Sequence, residues 1–267
     1  MTPPIFIPVE AEDLARRKRR RILGCGAVLA ALAAVAGFTY KHSTDQVHAR
    51  ESFDAGRRLL QSTRYEQAIL SLSRAVDLKP DFVDAWFLRG TAYVAFGVPD
   101  RAIADFTRVI QMRPGDPSPL LERCGAHLDR PDLEAVIADC TKAIALNPRL
   151  QRAYNLRGTA FRKTGDFETA LADFSRAVEL EPTADNYYQR AAVYELLGDY
   201  RKAVADLDRM VVIEPGSPSY SARAEARQGM GDAEGARKDR QFAKEFFPPP
   251  DFWMNNLVRR TPRGDIR

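Results

Sequence analysis

Two residue types recur at a spacing that could carry chemistry. Asp105, Asp139, Asp173 and Asp206 stand 34, 34 and 33 residues apart, and Arg89, Arg123, Arg157, Arg190 and Arg223 keep a similar rhythm. A carboxylate array could hold a cation or move protons. Carboxylates that repeat beside an apolar column are ordinarily solvated or paired with bases, and here arginines repeat with them. The three histidines, His42, His48 and His127, show no ligand spacing. No serine sits in a nucleophile elbow, and no glycine loop is built to cradle a phosphate. The expectation is no enzyme, no metal and no cofactor.

The cysteines are Cys25, Cys124 and Cys140. Cys25 lies in an apolar stretch, while Cys124 and Cys140 fall on two helices of one hairpin. In an antiparallel pair Cys124 levels with Val136, and Cys140 lies about 5.4 Å further along. With axes about 8–10 Å apart, against the roughly 6 Å between Cα atoms that a bridge needs, two buried free thiols are expected. An exported protein could still oxidise them.

The elements that position these residues are clearest in 154–182, YNLRGTAFRKTGDFETALADFSRAVELEP. Tyr154, Gly158 and Phe161 fall at i, i+4 and i+7 on one helix face. Gly165 suits the left-handed end of that helix, and Asp166 caps the next. Ala170, Phe174 and Ala177 line the second helix, which Pro182 stops. Small residues at Gly158 and Ala170 let the backbones approach. One such hairpin leaves an apolar face bare and must stack on copies of itself.

Copies are present. Gly56, Gly90, Cys124 and Gly158 lie 34 residues apart, as do Pro80, Pro114, Pro148 and Pro182. Ala191 and Pro215 follow after 33, and Ala224 and Pro248 extend the columns to a sixth unit. A bulky column reads Trp86, Leu120, Tyr154, Tyr187 and Tyr220, with Ser52 as its exception, and a small one reads Ala68, Ala102, Val136, Ala170, Ala203 and Ala236. The pattern over 49–248 resembles the tetratricopeptide repeat family. The arginines stand where its signature has leucine, similar to an arginine-bearing bacterial subtype. Cys124, His127 and Val136 in the third unit depart from the signature; His127 takes the Phe161 column and reads as a packed histidine. The resemblance implies an all-α, right-handed superhelical solenoid of about six helical hairpins, the last of them capping.

Ahead of the repeats, residues 1–21 form an arm that ends in an unbroken basic run, Arg16 to Arg21, and 22–40 is uncharged and mostly apolar. Nineteen residues span about 28 Å as a helix, close to a roughly 30 Å hydrocarbon core. The charge bias predicts one N-terminal transmembrane helix with a cytoplasmic N-terminus and exported repeats. Ala34-Val35-Ala36 offers a signal-peptidase site, but continued apolarity through Phe38 and Tyr40 favours a retained anchor. Residues 41–48 read as a short linker, and 249–267 as a tail whose Phe252-Trp253-Met254 would fold over the last repeat. The formal charge is +4; residues 1–40 and 257–267 contribute +3 each, which leaves 41–256 at −2 and argues against nucleic acid as a partner.

The resemblance implies a concave face for extended or helical peptides. The stripe turned about 100° from the core face of each first helix is its lining. The candidate residues are Phe53, Arg57, Phe87, Thr91, Leu121, Asn155, Thr159, Arg162, Lys163 and Tyr188. Arg57, Thr91 and Phe53 do not match the lysine-and-asparagine clamp that some family members use for chaperone tails. The reading is a membrane-anchored scaffold that binds a protein partner at the periplasmic face of a bacterial inner membrane, in assembly or stabilisation of an envelope or respiratory complex, with no small-molecule substrate. Its alternatives are a permanent structural subunit held by the anchor helix, and a chaperone partner of the secretion machinery.

Overall fold

The computed structural model describes residues 35–246 apart from positions 38 and 131. The arm 1–21, the anchor up to residue 34 and the tail 249–267 lie outside the described residues. Among the described residues every regular element is a helix, and none is long and apolar enough to cross a membrane. In chain order these are α1 (39–61), α2 (Tyr65–Leu78), α3 (Val83–Ala95), α4 (Pro99–Met112), α5 (Pro117–Asp129), α6 (Leu133–Leu146), α7 (Gln151–Thr164), α8 (Phe167–Leu180), α9 (Ala184–Leu196), α10 (Tyr200–Ile213), α11 (Ser217–Met230) and α12 (Ala233–Phe246). They divide into two compact units, with the boundary inside α3 after Ala92.

The first unit packs α1, α2 and the start of α3 around Ala68, Leu72, Ala75, Val76 and Ala85. Gly56 is required where α1 crosses α2, since a Cβ there would lie 2.6 Å from Leu72 Cγ. Residues 41–48 are not a linker. They belong to α1, because KHSTDQVH contains no glycine or proline to break a helix. Ala49, at the turn that joins this stretch to the repeat, is fully buried.

In the second unit the hairpins α5–α6, α7–α8, α9–α10 and α11–α12 follow α4, and each helix packs on the next. Gly165 ends α7 in the left-handed region at φ 86°, and the Asp166 carboxylate accepts from Thr169 N at 3.1 Å, as the sequence predicts. Asp132, Thr183 and Asp199 cap α6, α9 and α10 in the same way. Gly158 faces Asp173 and Phe174 rather than Ala170; a Cβ would meet both at 3.2 Å.

The recurrent charges are paired across the hairpins. Arg123, Arg157, Arg190 and Arg223 each grip the aspartate sixteen residues on with two hydrogen bonds of 2.6–2.9 Å. Three of them also reach back to the preceding hairpin: Arg123 to Thr107 Oγ1 at 2.8 Å, Arg157 to Thr141 Oγ1 at 3.0 Å, and Arg223 to Asp208 at 2.8 Å. In the first unit Arg89 donates to Ser73 Oγ in the same sense. All of these guanidiniums except that of Arg123, which has Leu120 there, also lie near the ring three residues before them, at 5.8 Å for Arg157 over Tyr154 and 4.6 Å for Arg89 over Trp86. The hydrogen bond to the aspartate is the main cause that raises the pKa of Arg157, Arg190 and Arg223.

Cys124 and Cys140 form a disulfide with Cα atoms 5.8 Å apart, not two free thiols. Cα atoms sit about 2.3 Å off their helix axes, so facing ones lie some 4–5 Å closer than the axes do. An estimate from axis separation alone overstates the gap. Cys124 still levels with Val136, whose carbonyl oxygen is 3.4 Å from its Sγ.

Gly158→Leu should overpack α7 against α8 and cost about 1–3 kcal/mol. Urea denaturation followed by circular dichroism measures it, and an unchanged midpoint would refute the contact.

Candidate partner-binding face

The first helix of each hairpin carries the candidate stripe, and the structure separates these residues into three groups. Phe53 and Leu121 belong to the core. Phe53 is 7% exposed with its ring 4.7 Å from that of Phe82, and Leu121 is 9% exposed beside Leu120 and Cys124. Both were expected to line a groove. At these two positions a turn of one residue from the core face still lies under the neighbouring helix, which covers that side.

A second group is engaged locally. Arg57 is exposed, lies 6.0 Å from the Phe53 ring centroid and pairs with Asp54 at 3.2 Å. Phe87 is half-buried, and Thr91 donates its hydroxyl to the Phe87 carbonyl.

The third group lies on α7 and α9 in the second unit. Asn155 and Thr159 are half-buried, with the Thr159 hydroxyl donating to Asn155 O at 2.8 Å. Arg162 lies 5.9 Å over the Phe174 ring, Lys163 is exposed, and Tyr188 is 42% exposed.

A residue that the sequence reading missed organises this group. Asn186 is fully buried, and its amide nitrogen donates to the carbonyls of Ala177 and Glu181 at the end of α8. That fixes its orientation, so its Oδ1 must accept. It takes hydrogen bonds from Asn155 Nδ2 and Gln151 Nε2, each at 2.6 Å. Asn155 is therefore held with its own Oδ1 without a partner. The one-residue deletion between Pro182 and Tyr187 hides Asn186 from a column search.

Charge on this face is divided. Arg162 and Lys163 lie on α7, and Glu195 on α9. Burial first, and then the Glu225 carboxylate on α11, raise the Glu195 pKa. His127 is a packed histidine: its side chain is 14% exposed, 3.8 Å from both Asp132 and Asp139, and burial is the main cause that lowers its pKa. Among the described residues no group of histidine, cysteine and carboxylates could hold a metal.

Three family models described as tetratricopeptide repeat match the chain, at residues 53–117, 152–183 and 184–215. Over these stretches the chain is similar to the tetratricopeptide repeat family. The third unit, 118–151, falls between the matches. No curated protein matches the chain. Among solved structures, PilW, described as a widely conserved type IV pilus biogenesis factor, aligns with TM-score 0.66 and 20% identity over 78% of this chain and 98% of its own. Pseudomonas aeruginosa pilF aligns with TM-score 0.64 and 15% identity over 81% and 100%. YrrB, described as a tetratricopeptide repeat protein with an unusual peptide-binding site, aligns with TM-score 0.56 and 18% identity over 66% and 90%. At these identities the likeness is one of fold.

Asn186→Ala would leave the Gln151 and Asn155 side-chain amides without their acceptor, while the Ala177 and Glu181 carbonyls keep their backbone donors, and should cost about 1–3 kcal/mol in equilibrium unfolding; a loss within error would show that water replaces it. The Glu195 carboxyl, raised above its ordinary 4.5, binds its proton more tightly folded than unfolded. Its contribution to stability is full below that value and is lost as pH rises through the raised one. Glu195→Gln should flatten the stability–pH curve above 4.5 and raise stability at neutral pH, which melts across a pH series will show.

Proposed function

We propose that this chain is a membrane-anchored scaffold whose second unit binds an extended segment of a protein partner along α7 and α9. The observation that carries the reading is the set Asn155, Thr159, Arg162, Lys163 and Tyr188. It pairs two cations with an exposed aromatic ring on helices held by the buried Asn186. An acidic side chain suits Arg162 and Lys163, and Tyr188 offers apolar area.

The setting follows from the sequence. Six basic residues before the apolar 22–40 segment support an N-terminus in the cytoplasm of a bacterium, with the repeats in the periplasm on the inner membrane. The pilus-biogenesis description of PilW and the peptide-binding description of YrrB fit an assembly role in the envelope. Tethering would raise the effective concentration of the partner's segment.

One observation favours a second reading, a permanent structural subunit. Val35, Tyr40 and Val47, all on helical residues ahead of the first repeat, are exposed apolar side chains at 60%, 73% and 54%. They suit a lasting helix–helix contact at the membrane.

Photo-cross-linkers at positions 163 and 188, compared with positions 40 and 47, will identify the neighbours of each surface in intact membranes. Against the partner so captured, Tyr188→Ala should cost about 2 kcal/mol of affinity. Arg162→Glu with Lys163→Glu should slow association and blunt its salt dependence, with the melting temperature unchanged. Association that survives these changes but is lost on deleting residues 1–40 would replace the scaffold with the subunit.

A further inference from the structure

The third hairpin differs from its neighbours at the point where its two helices touch. In the first hairpin Gly56 faces Leu72, and in the fourth Gly158 faces Phe174, each a glycine that admits a large side chain sixteen residues on. At the corresponding positions of the third hairpin stand Cys124 and Cys140, fully buried and joined as a disulfide across the same sixteen residues. His127 occupies the column of Tyr93, Phe161 and Tyr194. The unit that has lost the small-on-large contact and its aromatic is also the stretch between the family matches.

We propose that the disulfide replaces the missing contact, so that the third hairpin packs fully only where the pair is oxidised. Without it, two small thiols would stand where another hairpin has a Phe or Leu ring or branch filling the space. The loosening would not stay local, because hydrogen bonds tie this hairpin to both neighbours: Arg123 to Thr107 on α4, Arg157 to Thr141 on α6, and Arg152 on α7 to Glu122 on α5. Through α7 it reaches Asn155, Thr159, Arg162 and Lys163. The second unit is then conditioned by redox state. Formation is an exchange: the two thiols give up two protons and two electrons to the disulfide of a protein oxidant, the Cys124–Cys140 bond forms, and the oxidant's bond breaks to two thiols. Such oxidants act outside the reducing cytosol. The folding part of this inference stands on its own; the effect on binding rests on the proposed α7–α9 face.

The test uses the full chain in detergent, with thiol labelling after unfolding to report the state of the pair. Oxidised protein treated with dithiothreitol should melt about 5–10 °C lower, and amides of α5, α6 and α7 should lose hydrogen-exchange protection before those of α11 and α12. Cys124→Gly with Cys140→Phe, which rebuilds the fourth hairpin's pair, should melt at one temperature with and without reductant. Cys124→Ser with Cys140→Ser should melt low in both. Equal melts for oxidised and fully reduced wild type would overturn the proposal, as would two free thiols in protein recovered from the periplasm. A lower melt of the reduced protein with binding unchanged would count against the α7–α9 face and leave the folding part standing.

Discussion

The fold depends on a forked guanidinium held between two layers of helix. Arg123, Arg157, Arg190 and Arg223 each grip an aspartate on the second helix of their own hairpin, and three of them also reach the helix before. A bidentate pair fixes direction as well as distance, so it sets both the register within a hairpin and the step to the previous one. The aspartates are almost wholly covered while the guanidiniums keep a little exposure. Such a pair adds little net stability over an apolar contact, but loss of one partner leaves a charge stranded in the interior, at about 3–5 kcal/mol. The same constraint frees the outer face of α7. With register held from beneath, Lys163 stays exposed and need not contribute to packing.

The repeat was legible because several columns recur together, and the hairpin ends because Gly165 and Asp166 act through local backbone chemistry alone. The pairing of arginine with aspartate was also in reach, since both columns keep time. What escaped depended on distances between helices. Cys124 and Cys140 were placed too far apart because axes, not facing Cα atoms, were measured. Phe53 and Leu121 were assigned to a groove because a periodicity within one helix says nothing of the helix laid beside it. Asn186 was missed because its column holds Ala85, Pro119, Ala153 and Ser219 elsewhere, and only Ser219 likewise donates to the carbonyl five residues back. Residues 41–48 read as a linker from polarity, where the absence of any helix breaker was the better guide.

The fourth and fifth hairpins keep the repeat pattern in their cores and differ on their first helices, at Asn155, Arg162 and Lys163 on α7 and at Asn186 and Tyr188 on α9. The third hairpin does the reverse and departs from the pattern inside. A repeat array tolerates both kinds of departure, because each hairpin answers chiefly to its nearest neighbours.

That α1 runs unbroken from residue 39 to residue 61 has a consequence for how the chain can change length. A flexible connector absorbs an added residue without effect. A helix does not: one residue inserted between Tyr40 and Ala49 would advance everything before it by 1.5 Å and rotate it by about 100° about the axis, relative to the first hairpin. Only insertions near 3.6 residues, or a multiple, restore the original phase. The stretch ahead of the first repeat therefore works as a keyed shaft, and its length sets the direction in which the first hairpin faces.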